Sequence, residues 1–115
     1  MARNLHVAKV WRIEYEYPGM YAYDSQDVFY NILEMFGIEH SAEDINTDDF
    51  DIERPELRRL RQHIVERDGT FRRHAKTFYA ELKKIGMSRK RFITVLDRLI
   101  NDSDQSDISV HVSWF

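Results

Sequence analysis

Both ends of this 115-residue chain alternate between apolar and polar side chains, and this pattern constrains the fold more than any other feature. The apolar members are Leu5, Val7, Trp11, Ile13, Tyr15 and Tyr17 near the start, and Ile108, Val110, Val112 and Trp114 at the end. Successive side chains of a strand point to opposite faces, so a period of two indicates strands with one buried face. The pattern predicts that both chain ends are strands of one antiparallel sheet.

Pro18 and Gly19 interrupt the first alternating run. This pair suits the two central positions of a type II turn, because proline fixes the first φ angle and glycine accepts the positive φ that follows. We therefore expect residues 20–23 to return as a short second strand.

Four helical patterns lie between the terminal strands, with apolar residues recurring every three or four positions. Their inward residues are Val28, Phe29, Ile32, Leu33 and Phe36; Leu57, Leu60 and Ile64; Phe71, Ala75, Phe78, Leu82 and Ile85; and Phe92, Val95, Leu96, Leu99 and Ile100. The predicted starts are Asp24 or Ser25, Pro55, Thr70 and Ser88, and the predicted stops are Gly37, Gly69 and Gly86. These elements predict a single α+β domain over residues 1–115, in which about four helices cover a small antiparallel sheet.

Several classes of function are excluded by composition. The chain has no cysteine, which rules out disulfides, thiol catalysis and thiolate-bound zinc. It also lacks an apolar run long enough for a signal peptide or a membrane span. We expect a cytoplasmic protein that does not associate with a membrane.

The sequence contains no complete motif for metal binding or catalysis. The five histidines lack the spacing of metal ligands. The acidic runs that begin at Asp44 and Asp102 fail the calcium-loop pattern, because neither has the required glycine at position six or glutamate at position twelve. A glycine-rich phosphate loop and a nucleophile elbow are also missing. The sequence predicts no metal, no cofactor and no enzymatic activity.

The net charge of −3 conceals a strongly uneven distribution of charge. Residues 39–56 contain eight acidic and one basic side chain, whereas residues 57–91 contain twelve basic and three acidic ones. Composition predicts an acidic loop at about 39–55. The two segments either neutralise each other across the surface or face partners of opposite charge.

Arg89, Lys90 and Arg91 occupy the first turn of the fourth predicted helix, where the helix dipole favours anions instead of cations. Such a violation without compensation suggests that an anion docks there. The candidate residues for binding an anion or nucleic acid are Lys83, Lys84, Ser88, Arg89, Lys90 and Arg91, with Arg72, Arg73 and Lys76 at the start of the third helix.

Segment 71–100 resembles a DNA-binding helix-turn-helix, on the strength of the turn Ile85–Ser88 between two helices and the basic start of the second. The resemblance implies that Arg89, Lys90 and Arg91 reach base edges and that Ser88 contacts a phosphate. The segment departs from the motif at Leu82, where a small residue usually allows the helices to approach closely.

These observations predict a small non-enzymatic accessory, inhibitor or immunity-type protein that binds a macromolecule through charged surfaces, with a protein as the expected partner. A nucleic-acid-binding regulator that uses segment 71–100 on DNA or RNA is the first alternative. A second alternative is an acidic nucleic-acid mimic, whose partner-binding carboxylates are Asp48, Asp49, Asp51 and Glu53.

Overall fold

The computed structural model describes residues 4–10, 14–16, 18–20 and 25–115. Its elements are β1 (Leu5–Val10), β2 (Glu14–Glu16), α1 (Ser25–Met35), β3 (Asp49–Glu53), α2 (Arg54–Glu66), α3 (Gly69–Lys84), α4 (Arg89–Asp102) and β4 (Ser109–Trp114). The strands form one antiparallel sheet in the order β2-β1-β4-β3. The predicted fold class is confirmed, since the strands from the two chain ends lie side by side and helices make up the middle.

The first alternating run is two strands and not one. β1 and β2 pair with each other, with Val7 opposite Glu16, and residues 11–13 between them lie outside the described residues. The positive φ of Gly19, 114°, suits the predicted turn. Of the strand expected over residues 20–23, Met20 is not in a strand and the remainder lies outside the described residues.

The acidic stretch is not a loop throughout, because its end forms β3. Phe50 and Ile52 point into the core opposite Val112 and Val110 of β4, while acidic residues alternate with them. This strand was hidden from composition by its charge, although its period of two is regular. It is an edge strand, and Ser41 covers part of its free edge by donating its backbone N–H to the Asp51 carbonyl.

The helix ends follow the predicted residues in part. Gly37 and Gly86 adopt positive φ angles beyond the ends of α1 and α3, where the N–H of Ile38 reaches the Leu33 carbonyl and that of Met87 reaches the Leu82 carbonyl. Ser88 caps α4 as predicted.

The predicted boundary between α2 and α3 is wrong. α2 ends at Glu66, with Arg67 in the left-handed region at φ 51°, and Gly69 is the first residue of α3. The N-cap is Asp68, whose carboxylate accepts from the Phe71 N–H at 3.0 Å, and not Thr70. Asp and Thr are both favourable N-cap residues, so the position of the turn after α2 determines that Asp68 caps α3 and Thr70 does not.

The core lies between the helices and one face of the sheet. The sheet contributes Leu5, Val7, Phe50, Ile52, Val110, Val112 and Trp114. α3 packs mainly on α1 and α4 mainly on α2. Ile108 was predicted to point inward, but it is 59 % exposed because β4 begins only after it.

Candidate anion-binding surface

α3 is an amphipathic helix whose apolar side is fully used in the core. Phe71, Phe78 and Leu82 are buried, and the rings of Phe71 and Phe78 lie 6.3 Å and 6.1 Å from that of Phe36, which follows α1. This packing fixes which side of α3 faces solvent. It thereby decides where the basic residues of the helix are presented.

The solvent side of α3 carries cations without any acid. The only acidic residue of this helix is Glu81, which is 7 % exposed and accepts a hydrogen bond of 2.8 Å from the Asn31 side chain of α1. Lys84 forms an ion pair with the same carboxylate. The exposed cations of α3 are Arg72, Arg73, Lys76, Lys83 and Lys84.

Apart from Lys84, these cations make no ion pair with the described residues. The guanidinium of Arg72 donates to the Arg67 carbonyl at 3.1 Å, and that of Arg73 donates to the Thr70 hydroxyl at 3.3 Å. Neither acceptor is charged. Within the described part of the chain, Lys76 and Lys83 have no ion pair or hydrogen bond through their side chains. The positive charge of α3 is therefore largely uncompensated.

Four residues separate α3 from α4, and the basic residues continue after them. Ser88 caps α4, its hydroxyl accepting from the Arg91 N–H at 3.1 Å. Lys90 and Arg91 are exposed, and their side chains contact no carboxylate among the described residues. We define the cationic surface as Arg72, Arg73, Lys76, Lys83, Lys90 and Arg91.

Arg89 differs from its two neighbours. Its guanidinium donates to the Ile64 carbonyl at 2.8 Å, in the last turn of α2, where the negative end of the helix dipole favours a cation. Its place at the start of α4 thus has a structural explanation. Of the three cations predicted to meet a ligand there, two remain available.

A groove of about 210 Å³ lies beside Arg91, where α4 passes the turn at Pro18 and Gly19. Thr94 and Arg98 line its helical side. These residues follow Arg91 at intervals of three and four and so share one side of α4. The basic character of α4 therefore extends past its first turn.

The segment that resembles a helix-turn-helix contains the predicted helices and turn, but the helices pack mainly on other partners. α3 rests on α1 and α4 on α2, and Phe78 and Phe92 meet edge to face at 5.8 Å between them. Leu82 is buried at the position where the motif has a small residue.

The predicted acidic residues are mostly engaged within the protein. Asp48 accepts from the Gln26 side chain at 3.2 Å, Asp49 accepts from the Ser113 hydroxyl, and Asp51 contacts His111. Glu53 is exposed at the end of β3. Three of these four carboxylates have structural roles.

The acidic stretch and the cationic surface do not neutralise each other directly. Among the described residues, an ion pair between residues 39–56 and residues 57–91 joins Glu56 to Arg59 at 3.0 Å, within the first turns of α2. The Arg59 hydrogen bond lowers the pKa of Glu56. Direct pairing between the acidic stretch and the start of α4 is not seen among the described residues.

Two charged residues that join separate elements of the fold could not be identified from the sequence. Arg54 is 6 % exposed, and its guanidinium donates to the carbonyls of Ile100, Asp104 and Asp107 and to the Ser103 hydroxyl at 2.7–3.1 Å. It joins the start of α2 to the end of α4 and the following turn. No local pattern marks such a residue, because all its acceptors lie at least 46 positions away.

His111 is the second such residue, and it lies between two carboxylates. Its Nε2 is 2.7 Å from Asp107, and its Nδ1 contacts Asp51 across the β3–β4 pair. Burial lowers the pKa of His111, but the hydrogen bonds to Asp107 and Asp51 raise it more, so it lies above its ordinary value. The Ser109 N–H and His111 hold the pKa of Asp107 below its usual range.

The described residues contain neither a metal-binding cluster nor a membrane-spanning helix. They contain no group of three or more histidine, aspartate or glutamate side chains arranged to hold a metal ion. No helix among them has the length and apolar content needed to cross a membrane. Comparison of the chain with protein-family models, curated proteins and solved structures finds no significant match.

Proposed function

We propose that this chain is a non-enzymatic binding protein that engages an anionic macromolecule through the cationic surface. The observation that carries the proposal is the solvent side of α3, on which cations are exposed while the single acid of the helix is turned inward to Asn31. Like charges three or four residues apart on one helix repel one another and reduce stability. An anionic partner would remove that repulsion on binding.

The start of α4 supports the same proposal. Lys90 and Arg91 stand where the helix dipole is unfavourable to cations, and unlike Arg89 they have no compensating contact in the described structure. A phosphate or carboxylate group would contact these side chains and the positive end of the dipole together. The proposal covers both acidic proteins and nucleic acids as partners.

A salt-titrated binding assay tests the proposal. The full chain is titrated against single-stranded DNA, RNA, duplex DNA and polyglutamate at about 50 mM and about 200 mM salt. We expect at least one of these polyanions to bind at the lower salt and to weaken steeply at the higher. Absence of binding to all four would overturn the proposal.

Two charge-reversal variants distinguish the effect of the cationic surface on binding from the effect of the net charge. Lys76→Glu/Lys83→Glu alters the cationic surface, and Arg58→Glu/Arg67→Glu makes the same change in net charge at exposed residues of α2 and its end. We expect the first variant to lose binding and the second to keep most of it. Equal losses in both variants would show that total charge, and not this surface, governs binding.

A second candidate is the nucleic-acid-binding regulator with a helix-turn-helix. The observation in its favour is the Ser88-capped start of α4, with Lys90 and Arg91 exposed in the first turn. This candidate requires duplex DNA to bind more tightly than single strands, and Arg91→Glu to cost more affinity than Lys76→Glu. The reverse order would exclude it.

A further inference from the structure

Tyr79 is a large aromatic residue exposed on the cationic side of α3. It lies 44 % exposed between Lys76 and Lys83. Arg72, Lys76, Tyr79 and Lys83 follow one another at intervals of four, three and four residues, so they share one side of the helix. The exposed aromatic ring is therefore part of a cationic stripe.

The Tyr79 ring packs against two buried aromatic rings. It meets the buried rings of Phe71 and Phe78 nearly edge on, with centroids 6.0 Å and 5.4 Å apart. Such contacts restrict the ring, while nearly half of the side chain stays open to solvent. A restrained ring loses little further freedom when a flat group stacks on it.

We propose that this stripe binds single-stranded nucleic acid, with phosphates along Arg72, Lys76 and Lys83 and one base stacked on Tyr79. This inference rests on the proposed function and names its partner. Proteins that bind single strands combine a cationic track with aromatic side chains on which bases stack. The stripe has both parts, and Arg72 and Lys83 stand about 16 Å apart along the helix at 1.5 Å per residue.

The exposed ring is what selects single strands over the other polyanions. In a duplex the base faces are covered by stacking with their neighbours, so Tyr79 has nothing to stack on. An acidic peptide supplies charge without a flat ring. Only an unpaired strand satisfies the cations and the tyrosine together.

The test measures binding of labelled single strands of about 12 nucleotides to the full chain, beside duplex DNA and polyglutamate. Tyr79→Phe keeps the ring, whereas Tyr79→Leu fills the space above Phe71 and Phe78 without one. We expect Tyr79→Leu to weaken single-strand binding about tenfold and Tyr79→Phe to leave it nearly unchanged. Thermal unfolding of each variant checks that the fold persists.

The salt dependence supplies a second readout. Each lost phosphate contact reduces the slope of log affinity against log salt by about 0.7 for a single strand. Lys76→Glu/Lys83→Glu should therefore reduce the slope by about 1.4. Tyr79→Leu should weaken binding with the slope unchanged, because stacking releases no counterions.

The outcomes separate this inference from the proposed function. If Tyr79→Leu binds single strands as tightly as the unaltered chain, or if duplex or polyglutamate binds more tightly, the inference is overturned and the proposed function stands. If no polyanion binds at about 50 mM salt, both are overturned.

Discussion

The Nε2 atom of His111 lies 2.7 Å from a carboxylate oxygen of Asp107, and the opposite ring nitrogen contacts Asp51. Ionised carboxylates only accept hydrogen bonds, so both contacts require protons on both ring nitrogens. These contacts favour the imidazolium and raise the pKa of His111, although the residue is only 8 % exposed. It joins β3, β4 and the turn before β4.

The stability of the fold should fall as pH rises through the folded-state pKa of His111. This pKa is raised above its unfolded value of 6.5, so the stabilisation is fully present below pH 6.5 and is lost above the folded value. Urea unfolding between pH 5.5 and pH 9 measures the effect. We expect His111→Gln to be less stable than the unaltered chain at low pH and to approach it at high pH.

His6 gives the opposite pH dependence of stability, so its contribution must be separated from that of His111. Burial lowers the pKa of His6, so its contribution is present above pH 6.5 and is lost as pH falls through the folded value. The difference between the unaltered chain and His111→Gln removes the His6 contribution, since both proteins contain it. A difference that does not change between pH 5.5 and pH 9 would contradict the assignment of a cationic His111.

Replacing Arg54 should destabilise the fold strongly. Arg54→Met removes the donor of the Asp107 carbonyl and one of the hydrogen bonds that the Ile100 and Asp104 carbonyls accept, and hydrogen bonds from charged groups are the strong ones. We expect a loss of about 3 kcal/mol in the free energy of unfolding by urea. Arg58→Met, at an exposed position of the same helix, should change it by less than about 0.5 kcal/mol.

Two substitutions at the start of α3 test which residue is its N-cap. Asp68→Ala removes the acceptor of the Phe71 N–H, while Thr70→Ala removes a side chain that does not cap. We expect the first to lower the midpoint of thermal unfolding by about 5 °C and the second to change it little. A larger effect from Thr70→Ala would mean that the helix begins later.

Arg89 and Lys90 should separate stability from binding. Arg89→Met removes the hydrogen bond to the Ile64 carbonyl, so we expect it to cost about 1 kcal/mol of stability with little effect on affinity for polyanions. Lys90→Met should weaken that affinity and leave stability unchanged. Chemical unfolding and the salt-titrated binding assay, run on both variants, decide the matter. If Arg89→Met alone lost affinity, the two cations would have exchanged roles.

Much of the fold could be predicted from local patterns. The terminal strands, the four helices, the stops at Gly37 and Gly86 and the Ser88 cap could be predicted, because backbone geometry ties each pattern to neighbours a few residues away. The basic residues of the cationic surface were identified in the same way. β3 was missed because the charges around Phe50 and Ile52 concealed a regular period of two.

Tertiary structure alone decided what the charged residues do. Glu81 turned inward to Asn31, Arg89 reached Ile64, and Asp51 and Asp107 met at His111. Each contact that crosses between elements joins positions far apart in the chain, and only core packing determines which of them come together. Local sequence therefore determined where helices and strands form and which side of α3 is basic. Packing decided which charges are paired within the protein and which remain exposed to meet a partner.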